Sequence, residues 1–284
     1  MTATISLTRP DGSPLILHHL GGSGEEPLFI SHATGFHGRC YLEMAAHLSS
    51  RWSVWAVDYS GHGETPSADD SVTTWESFGE DALTAARHLA PHGGLRAFGH
   101  SMGGAAVLLA HLKDPSAFSQ LVAFEPIAPP PNDDFDVEHL PIAVGAERRR
   151  PTFDSAEAAI ANYASKPPLG IFTPRSLSDY VNYGVTSNDD GSVSLSCTPT
   201  FEASVFRAAH RNELWQSLPQ IDLAVNVIAG VVEEHQPSNF AAGVAERLPN
   251  GSYHPDESMN HFGPFVVPNQ VAHTVEDLLS STSS

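Results

Sequence analysis

Short apolar segments alternate with amphipathic segments through the first half of this chain, and this alternation limits what it can fold into. Trp52 to Val57, Leu95 to Phe98 and Leu121 to Phe124 have the composition of buried strands. Trp75 to Leu89 and Ser101 to Leu112 have the spacing of helices. Strands that are joined by helices form a parallel sheet covered on both faces, through right-handed crossovers. The pattern predicts the α/β class.

The alternation stops in the middle of the chain and then resumes. It breaks at Pro129-Pro130-Pro131 and starts again near Pro219, with a strand at Leu223 to Ala229 and a closing helix at Val266 to Leu279. We therefore expect three parts. They are a first core part at 1–128, an inserted cap at 129–218 and a second core part at 219–284.

Three further strands are expected before the first helix. Ile5 to Leu7 and Leu15 to His18 flank the turn-forming Pro10-Asp11-Gly12, and Pro27 to Ser31 follows a glycine-rich stretch. The sheet is thus predicted to receive strands from both ends of the chain.

Charge and cysteine content exclude several functions. Lys and Arg number 14 against 33 Asp and Glu, so the net charge of −19 argues against nucleic-acid binding and against an anionic membrane surface. Cys40 and Cys197 are the two cysteines, which excludes a disulfide scaffold and a CxxC site. Met1 to Pro10 lacks the pattern of a secretion signal, so a cytoplasmic protein with reduced thiols is expected.

Gly99-His100-Ser101-Met102-Gly103-Gly104 carries the strongest chemical signal. It matches G-x-S-x-G and lies between a predicted strand and a predicted helix, the context in which such a serine stands exposed on a strained turn. The other interpretation, a serine that caps the helix in a glycine-rich crossover, is rejected because the motif lies in the strand-to-helix context that a nucleophile turn requires. Ser101 is predicted to be a nucleophile.

With this motif, the chain resembles the α/β-hydrolase superfamily over nearly everything except the cap. His32-Ala33-Thr34-Gly35 resembles the oxyanion loop of that family, and Asp58 to Thr65 resembles its D-x-x-G-x-G segment. The resemblance implies a mostly parallel central sheet with helices on both faces and an inserted cap. It also implies that the backbone N–H groups of Met102 and Thr34 bind the oxyanion, with Gly35 or Phe36 as alternatives to Thr34.

The resemblance implies His261 as the general base, because the family keeps its histidine after the last strand and before the final helix. His261 stands in Met259-Asn260-His261-Phe262-Gly263-Pro264 at that place. A serine hydroxyl needs such a base to become nucleophilic.

Two positions compete for the carboxylate that orients this histidine. Glu125 ends a predicted strand, as in haloalkane dehalogenases and zearalenone lactonases, whereas Glu233 and Glu234 follow a later strand at the commoner position. Glu125 is preferred because a carboxylate after four apolar residues is costly to bury unless it is paired. Glu233 and Glu234 remain alternatives.

These residues predict a serine hydrolase that cleaves a small-molecule carboxylic ester or lactone through an acyl-enzyme, with no cofactor and no metal. A carbon–carbon bond hydrolase, a perhydrolase or a ligand-binding receptor on the same fold are the alternatives. A homo-oligomer is possible. Arg148-Arg149-Arg150, which is followed by Pro151, has the pattern of a basic helix end, and contact with an anionic substrate group is its alternative interpretation.

Overall fold

A central sheet of eight strands runs through the molecule in the computed structural model. The structure describes residues 3–48, 51–67, 74–131, 136–233 and 236–280. The strands of the sheet are β1 (Thr4–Thr8), β2 (Pro14–Gly21), β3 (Glu26–Ser31), β4 (Trp52–Asp58), β5 (Leu95–His100), β6 (Phe118–Phe124), β10 (Ala224–Ala229) and β11 (Gly251–Pro255). Their order across the sheet is β1-β2-β4-β3-β5-β6-β10-β11.

The sheet is mostly parallel, as predicted. β1 pairs antiparallel with β2, and β2 pairs antiparallel with β4. The remaining neighbours, from β4 across to β11, pair in parallel. Because β3, β5, β6 and β10 are central and parallel, the carboxyl ends of these strands meet at one edge of the sheet.

Both faces of the central strands are buried, which explains their runs of apolar residues. In β3, Phe29 packs in one hydrophobic cluster while its neighbours Leu28 and Ile30 pack in the other. The first cluster includes residues of α2 (Glu76–Leu89), α3 (Met102–Lys113) and α9 (Ser238–Arg247), and the second includes residues of α1 (Leu42–Leu48) and α11 (Pro268–Ser280). Successive side chains of a strand point to opposite faces, so a strand between two helix layers must be apolar on both.

Most of the remaining elements lie between β6 and β10, and we call this segment the insert. Its elements are α4 (Pro141–Glu147), β7 (Thr152–Phe153), α5 (Ala156–Ala164), α6 (Pro174–Asn182), β8 (Val185–Ser187), β9 (Val193–Leu195), α7 (Pro199–Ala208) and α8 (Leu214–Ser217). β7, β9 and β8 form a small antiparallel sheet. The division into core and cap at residues 128 and 218 stays a prediction.

The predicted elements differ from the structure mainly at their ends. β6 begins at Phe118, three residues before the predicted start. The prediction missed these residues because Ser119 and Gln120 are polar and are not fully buried. The closing helix is split into α10 (Gly263–Val266) and α11, since Pro268 lacks the N–H that a continuous helix needs there. In the part of the chain that the structure describes, each helix is too short or too polar to cross a membrane.

Candidate active site

The Ser101 turn joins β5 to α3 in a backbone conformation that non-glycine residues rarely adopt. Ser101 has φ 55° and ψ −117°. Its N–H donates to the carbonyl of Phe124 over 2.9 Å, and its own carbonyl accepts from the N–H of Gly104 over 3.1 Å. These bonds to β6 and to the start of α3 hold the strained residue in place.

Glycine is required beside Ser101 because the backbone segments approach too closely for a side chain. A Cβ on Gly103 would lie 2.0 Å from the carbonyl oxygen of Ser31, and one on Gly99 would lie 2.6 Å from the Cα of Gly104. The glycines of the motif therefore let α3 pack directly against β3 and β5.

His261 and Glu125 lie in hydrogen-bond contact, although 136 residues separate them in sequence. Nδ1 of His261 donates to Oε2 of Glu125 over 2.6 Å, and the N–H of Gly230 donates to Oε1 of Glu125 over 2.8 Å. Glu125 is fully buried and has φ 46°. The carboxylate fixes the ring so that Nε2 of His261 is the nitrogen without a proton.

The other predicted acids do not take this place. Glu233 is exposed, and its backbone N–H donates to the hydroxyl of Ser238 over 3.3 Å. Glu234 lies outside the described residues. Nε2 of the nearby His254 hydrogen-bonds to Asn226 over 2.9 Å, and its ring has no hydrogen bond to Glu125.

His100, beside Ser101, connects three parts of the site. Its Nε2–H donates to the backbone carbonyl of His261 over 2.9 Å, and its Nδ1 accepts from the hydroxyl of Tyr41 over 2.8 Å. The same hydroxyl oxygen accepts from the N–H of Ala33 over 3.3 Å. Burial and the neighbouring His261 lower the pKa of His100 well below its ordinary value, so the ring is neutral and both bonds persist.

The predicted oxyanion loop lies beside Ser101. Thr34, Gly35, Phe36 and Ser101 all line one cavity of about 710 Å³. The N–H of Phe36 donates to the carbonyl of Ala33 over 3.1 Å and is thereby occupied. The N–H groups of Thr34 and Gly35 have no hydrogen bond to any residue that the structure describes.

Met102, the other predicted donor, is the first residue of α3. A backbone N–H at that position has no acceptor within the helix. The amide is thus free to point at an anion, as the first amides of a helix commonly do.

A buried ion pair forms one wall of the same cavity. Nη1 of Arg149 bonds to Oε2 of Glu202, and Nη2 donates to the hydroxyls of Tyr163 over 3.1 Å and Tyr180 over 2.6 Å. A Cβ on Gly35 would lie 2.3 Å from Oε1 of Glu202, so this pair packs against the predicted oxyanion loop. Burial lowers the pKa of Arg149, but Tyr180 and Glu202 outweigh that effect and raise it, so the guanidinium is charged.

Sequence reasoning missed the wall of Arg149 and Glu202. The run of three arginines was the available signal, but it also fits a helix end, and α4 does end at Glu147. The link through Tyr41 had no signal in the sequence, because nothing in an isolated tyrosine marks it as a partner of His100.

The sheet order, with the strained serine after β5 and the histidine after β11, is that of the α/β-hydrolase fold. In sequence, the chain is similar to members of the α/β-hydrolase superfamily over its first half. A family model described as "Serine aminopeptidase, S33" matches residues 24–150.

Comparison with particular proteins agrees with this assignment. Monoglyceride lipase of Rattus norvegicus is 31% identical over 127 residues, which is 43% of this chain and 42% of the relative, so the match spans about two fifths of that protein. An esterase from Thermogutta terrifontis has a TM-score of 0.71 at 18% identity, covering 98% of both chains. An enol-lactonase from Burkholderia xenovorans LB400 has a TM-score of 0.72 at 18% identity, covering 98% of this chain and 100% of the other.

Proposed function

We propose that this protein is a serine hydrolase that cleaves a carboxylic ester or lactone through an acyl-enzyme. The single observation that carries the proposal is the pairing of His261 with the buried Glu125, beside the cavity that Ser101 and His261 both line. A buried carboxylate held to a histidine at the edge of a cavity is the arrangement that makes a serine hydroxyl reactive.

Each residue has one role in the proposed reaction. Nε2 of His261 takes the proton of the Ser101 hydroxyl as its oxygen attacks the carbonyl carbon, and Glu125 stabilises the imidazolium that forms. The proton then passes to the leaving alkoxide as the acyl-enzyme forms. In the second half, His261 deprotonates a water molecule, which attacks the acyl group. The imidazolium then returns that proton to the oxygen of Ser101 as the acid leaves.

The negative charge of each tetrahedral intermediate needs backbone donors. We assign this role to the N–H groups of Met102 and Thr34, with Gly35 as the alternative to Thr34. Such a donor is commonly worth about 3 kcal/mol in the transition state. The free amides of Thr34 and Gly35 support this choice, and the occupied amide of Phe36 argues against the third candidate.

The comparisons support ester hydrolysis. The relatives are named for cleavage of a monoglyceride, an ester and an enol-lactone. Each of these reactions is attack on a carbonyl carbon followed by loss of an oxygen leaving group, which is the chemistry that a serine and a histidine supply here.

The test compares Ser101→Ala with wild type on 4-nitrophenyl esters of short and medium acyl chains. Loss of a nucleophilic serine lowers kcat by a factor on the order of 10⁶ in serine proteases, so no turnover above background is expected. Ser119→Ala is the matched control, because that hydroxyl lies on the exposed part of β6 and donates to Gly94. Wild-type turnover by Ser101→Ala would refute the proposal.

Two measurements separate the remaining possibilities. A ligand-binding receptor on this fold would react once with a fluorophosphonate at Ser101 and show no repeated turnover of an activated ester. A carbon–carbon bond hydrolase would turn over a vinylogous diketone faster than it hydrolyses an ester. A perhydrolase would convert an ester faster with hydrogen peroxide than with water alone.

A further inference from the structure

The cavity above Ser101 is rich in basic side chains, although the whole protein has a net charge of −19. Arg148, Arg149, Arg150 and Lys166 all line it. Glu202 is the one carboxylate among the described residues that line the same cavity. This local excess of positive charge opposes the charge of the rest of the molecule.

Two of these cations are already neutralised by the protein. Arg149 pairs with the buried Glu202 and bonds to two tyrosine hydroxyls. Arg150 pairs with Asp154 over 3.3 Å and lies over the ring of Phe153. Neither pair leaves a free positive charge for a ligand.

Arg148 and Lys166 differ from every other arginine and lysine that the structure describes. Both are exposed, and neither has an ion-pair partner or a cation–π contact within the described ranges. Each of the other lysines and arginines in those ranges pairs with a carboxylate or lies over a tryptophan ring. These contacts belong to Arg9, Arg39, Arg51, Arg87, Arg96, Lys113, Arg149, Arg150, Arg175, Arg207, Arg211 and Arg247.

We propose that Arg148 and Lys166 form a binding site for a carboxylate that the substrate carries away from the scissile bond. The inference rests on the proposed function, because it names the class of ester that this cavity prefers. Unpaired cations attract an anion more strongly beside apolar walls than in open water, and Ile142, Leu169 and Phe206 supply such walls here. The acidic surface elsewhere repels the same anion, so its local concentration is expected to be highest at the cavity.

The test uses two pairs of esters that differ by one carboxylate. Mono-4-nitrophenyl adipate against 4-nitrophenyl hexanoate places the charge on the acyl side. 3-(4-Acetoxyphenyl)propanoate against its primary amide places the charge on the alcohol side, with two methylenes insulating the leaving group. Wild type is expected to show a higher kcat/KM for the anionic member of at least one pair, and salt should weaken this preference.

Removing both cations should remove the preference. In Arg148→Gln/Lys166→Gln, the ratio of kcat/KM for the anionic ester to that for the neutral ester is expected to fall about tenfold. This corresponds to about 1.4 kcal/mol, which two exposed charge contacts together can supply. Arg87→Gln/Lys113→Gln is the matched control. It removes one arginine and one lysine from exposed ion pairs away from the cavity and should leave the ratio unchanged.

The results distinguish this proposal from the proposed function. Equal kcat/KM within both ester pairs, an unchanged ratio in the double variant, or an equal fall in the control would overturn the carboxylate site while leaving ester hydrolysis intact. If wild type turns over none of the esters, the proposed function fails. Calorimetry of ester binding to Ser101→Ala, with and without the two cations, then decides whether the anionic esters still bind more tightly.

Discussion

Two residues combine an unusual backbone conformation with a place in the proposed catalytic site. Ser101 and Glu125 are the non-glycine residues with positive φ in the described ranges, at 55° and 46°. Such conformations cost on the order of 1–3 kcal/mol each and persist where the surroundings enforce them. β5 and β6 are neighbours in the sheet, and both strained residues follow the ends of these strands. The strain therefore coincides with the chemistry.

Glu125→Gln should lower activity while preserving the fold. The amide oxygen can still accept from the N–H of Gly230, but the amide nitrogen would face Nδ1 of His261 and favour the wrong tautomer. The equivalent change in a serine protease lowers kcat by about 10⁴, so a loss on the order of 10³–10⁴ with little change in KM is expected in steady-state ester hydrolysis.

Glu233→Gln is the control for this experiment, because it alters the competing acid at an exposed position. Its kcat should match wild type. The opposite result, an active Glu125→Gln and an inactive Glu233→Gln, would transfer the role of the acid to the later strand.

At the scale of elements, the approach of α3 to β3 decides whether the turn at Ser101 can form. The backbone of Gly103 lies against the carbonyl of Ser31, and that serine's hydroxyl donates to the carbonyl of Gly103 over 2.7 Å. The helix is thus fixed to the strand by one close contact and one hydrogen bond. No side chain fits between them.

Gly103→Ala should therefore destabilise the protein. The added Cβ would meet backbone atoms that cannot move aside, and overpacking of this kind commonly costs about 1–3 kcal/mol and occasionally more. Urea unfolding followed by circular dichroism measures the change. Gly145→Ala, in α4, is the comparison, because its Cβ would meet nothing within 4 Å and alanine is the better helix former. Equal free energies of unfolding for the two variants would contradict this account.

Elements that follow a simple period could be predicted, and contacts between residues far apart in sequence could not. The central strands were recognisable because burial on both faces demands continuous apolar residues, and the nucleophile turn was recognisable because its glycines are adjacent in sequence. The pair formed by Arg149 and Glu202 spans 53 residues, and the bond between Tyr41 and His100 spans 59. No local pattern encodes such distances.

The choice between the two candidate acids shows the same limit. Burial cost favoured Glu125 over Glu233, but only the three-dimensional arrangement shows a hydrogen bond from His261 to Glu125. The order of strands that brings residue 261 beside residue 125 is a property of the whole sheet.

At the scale of the whole molecule, several imidazoles are buried in their neutral form. Burial is the main cause that lowers the pKa of each, and for one of them, His62, the value falls to about 4. The four are His32, His37, His62 and His100. A neutral buried histidine costs stability when the unfolded chain can bind a proton that the folded chain cannot.

The free energy of unfolding should therefore fall as the pH drops below about 6.5, the ordinary histidine pKa. Each such imidazole contributes a slope of up to about 1.4 kcal/mol per pH unit, and for His62 the loss continues to a pH of about 4. Asp81 and Asp179, whose pKa values burial raises to about 6, act in the opposite direction and offset part of the slope.

Urea unfolding at several pH values between 7.5 and 4.5 measures this slope. His62→Gln should reduce the slope by up to about 1.4 kcal/mol per pH unit, the contribution of one proton. His92→Gln, at an exposed turn, should not change the slope. A stability that is constant or rises as the pH falls through this interval would show that the buried imidazoles are not held neutral.

The contacts of Glu125 have a consequence for how the molecule acquires its reactivity during synthesis. Gly230 and His261 both reach this carboxylate from the later part of the chain. A nascent polypeptide that has emerged only as far as β6 carries Ser101 but lacks His261, the proposed general base. During refolding, ester turnover should consequently return only when the final strands dock, after the first α/β units have regained their helical signal.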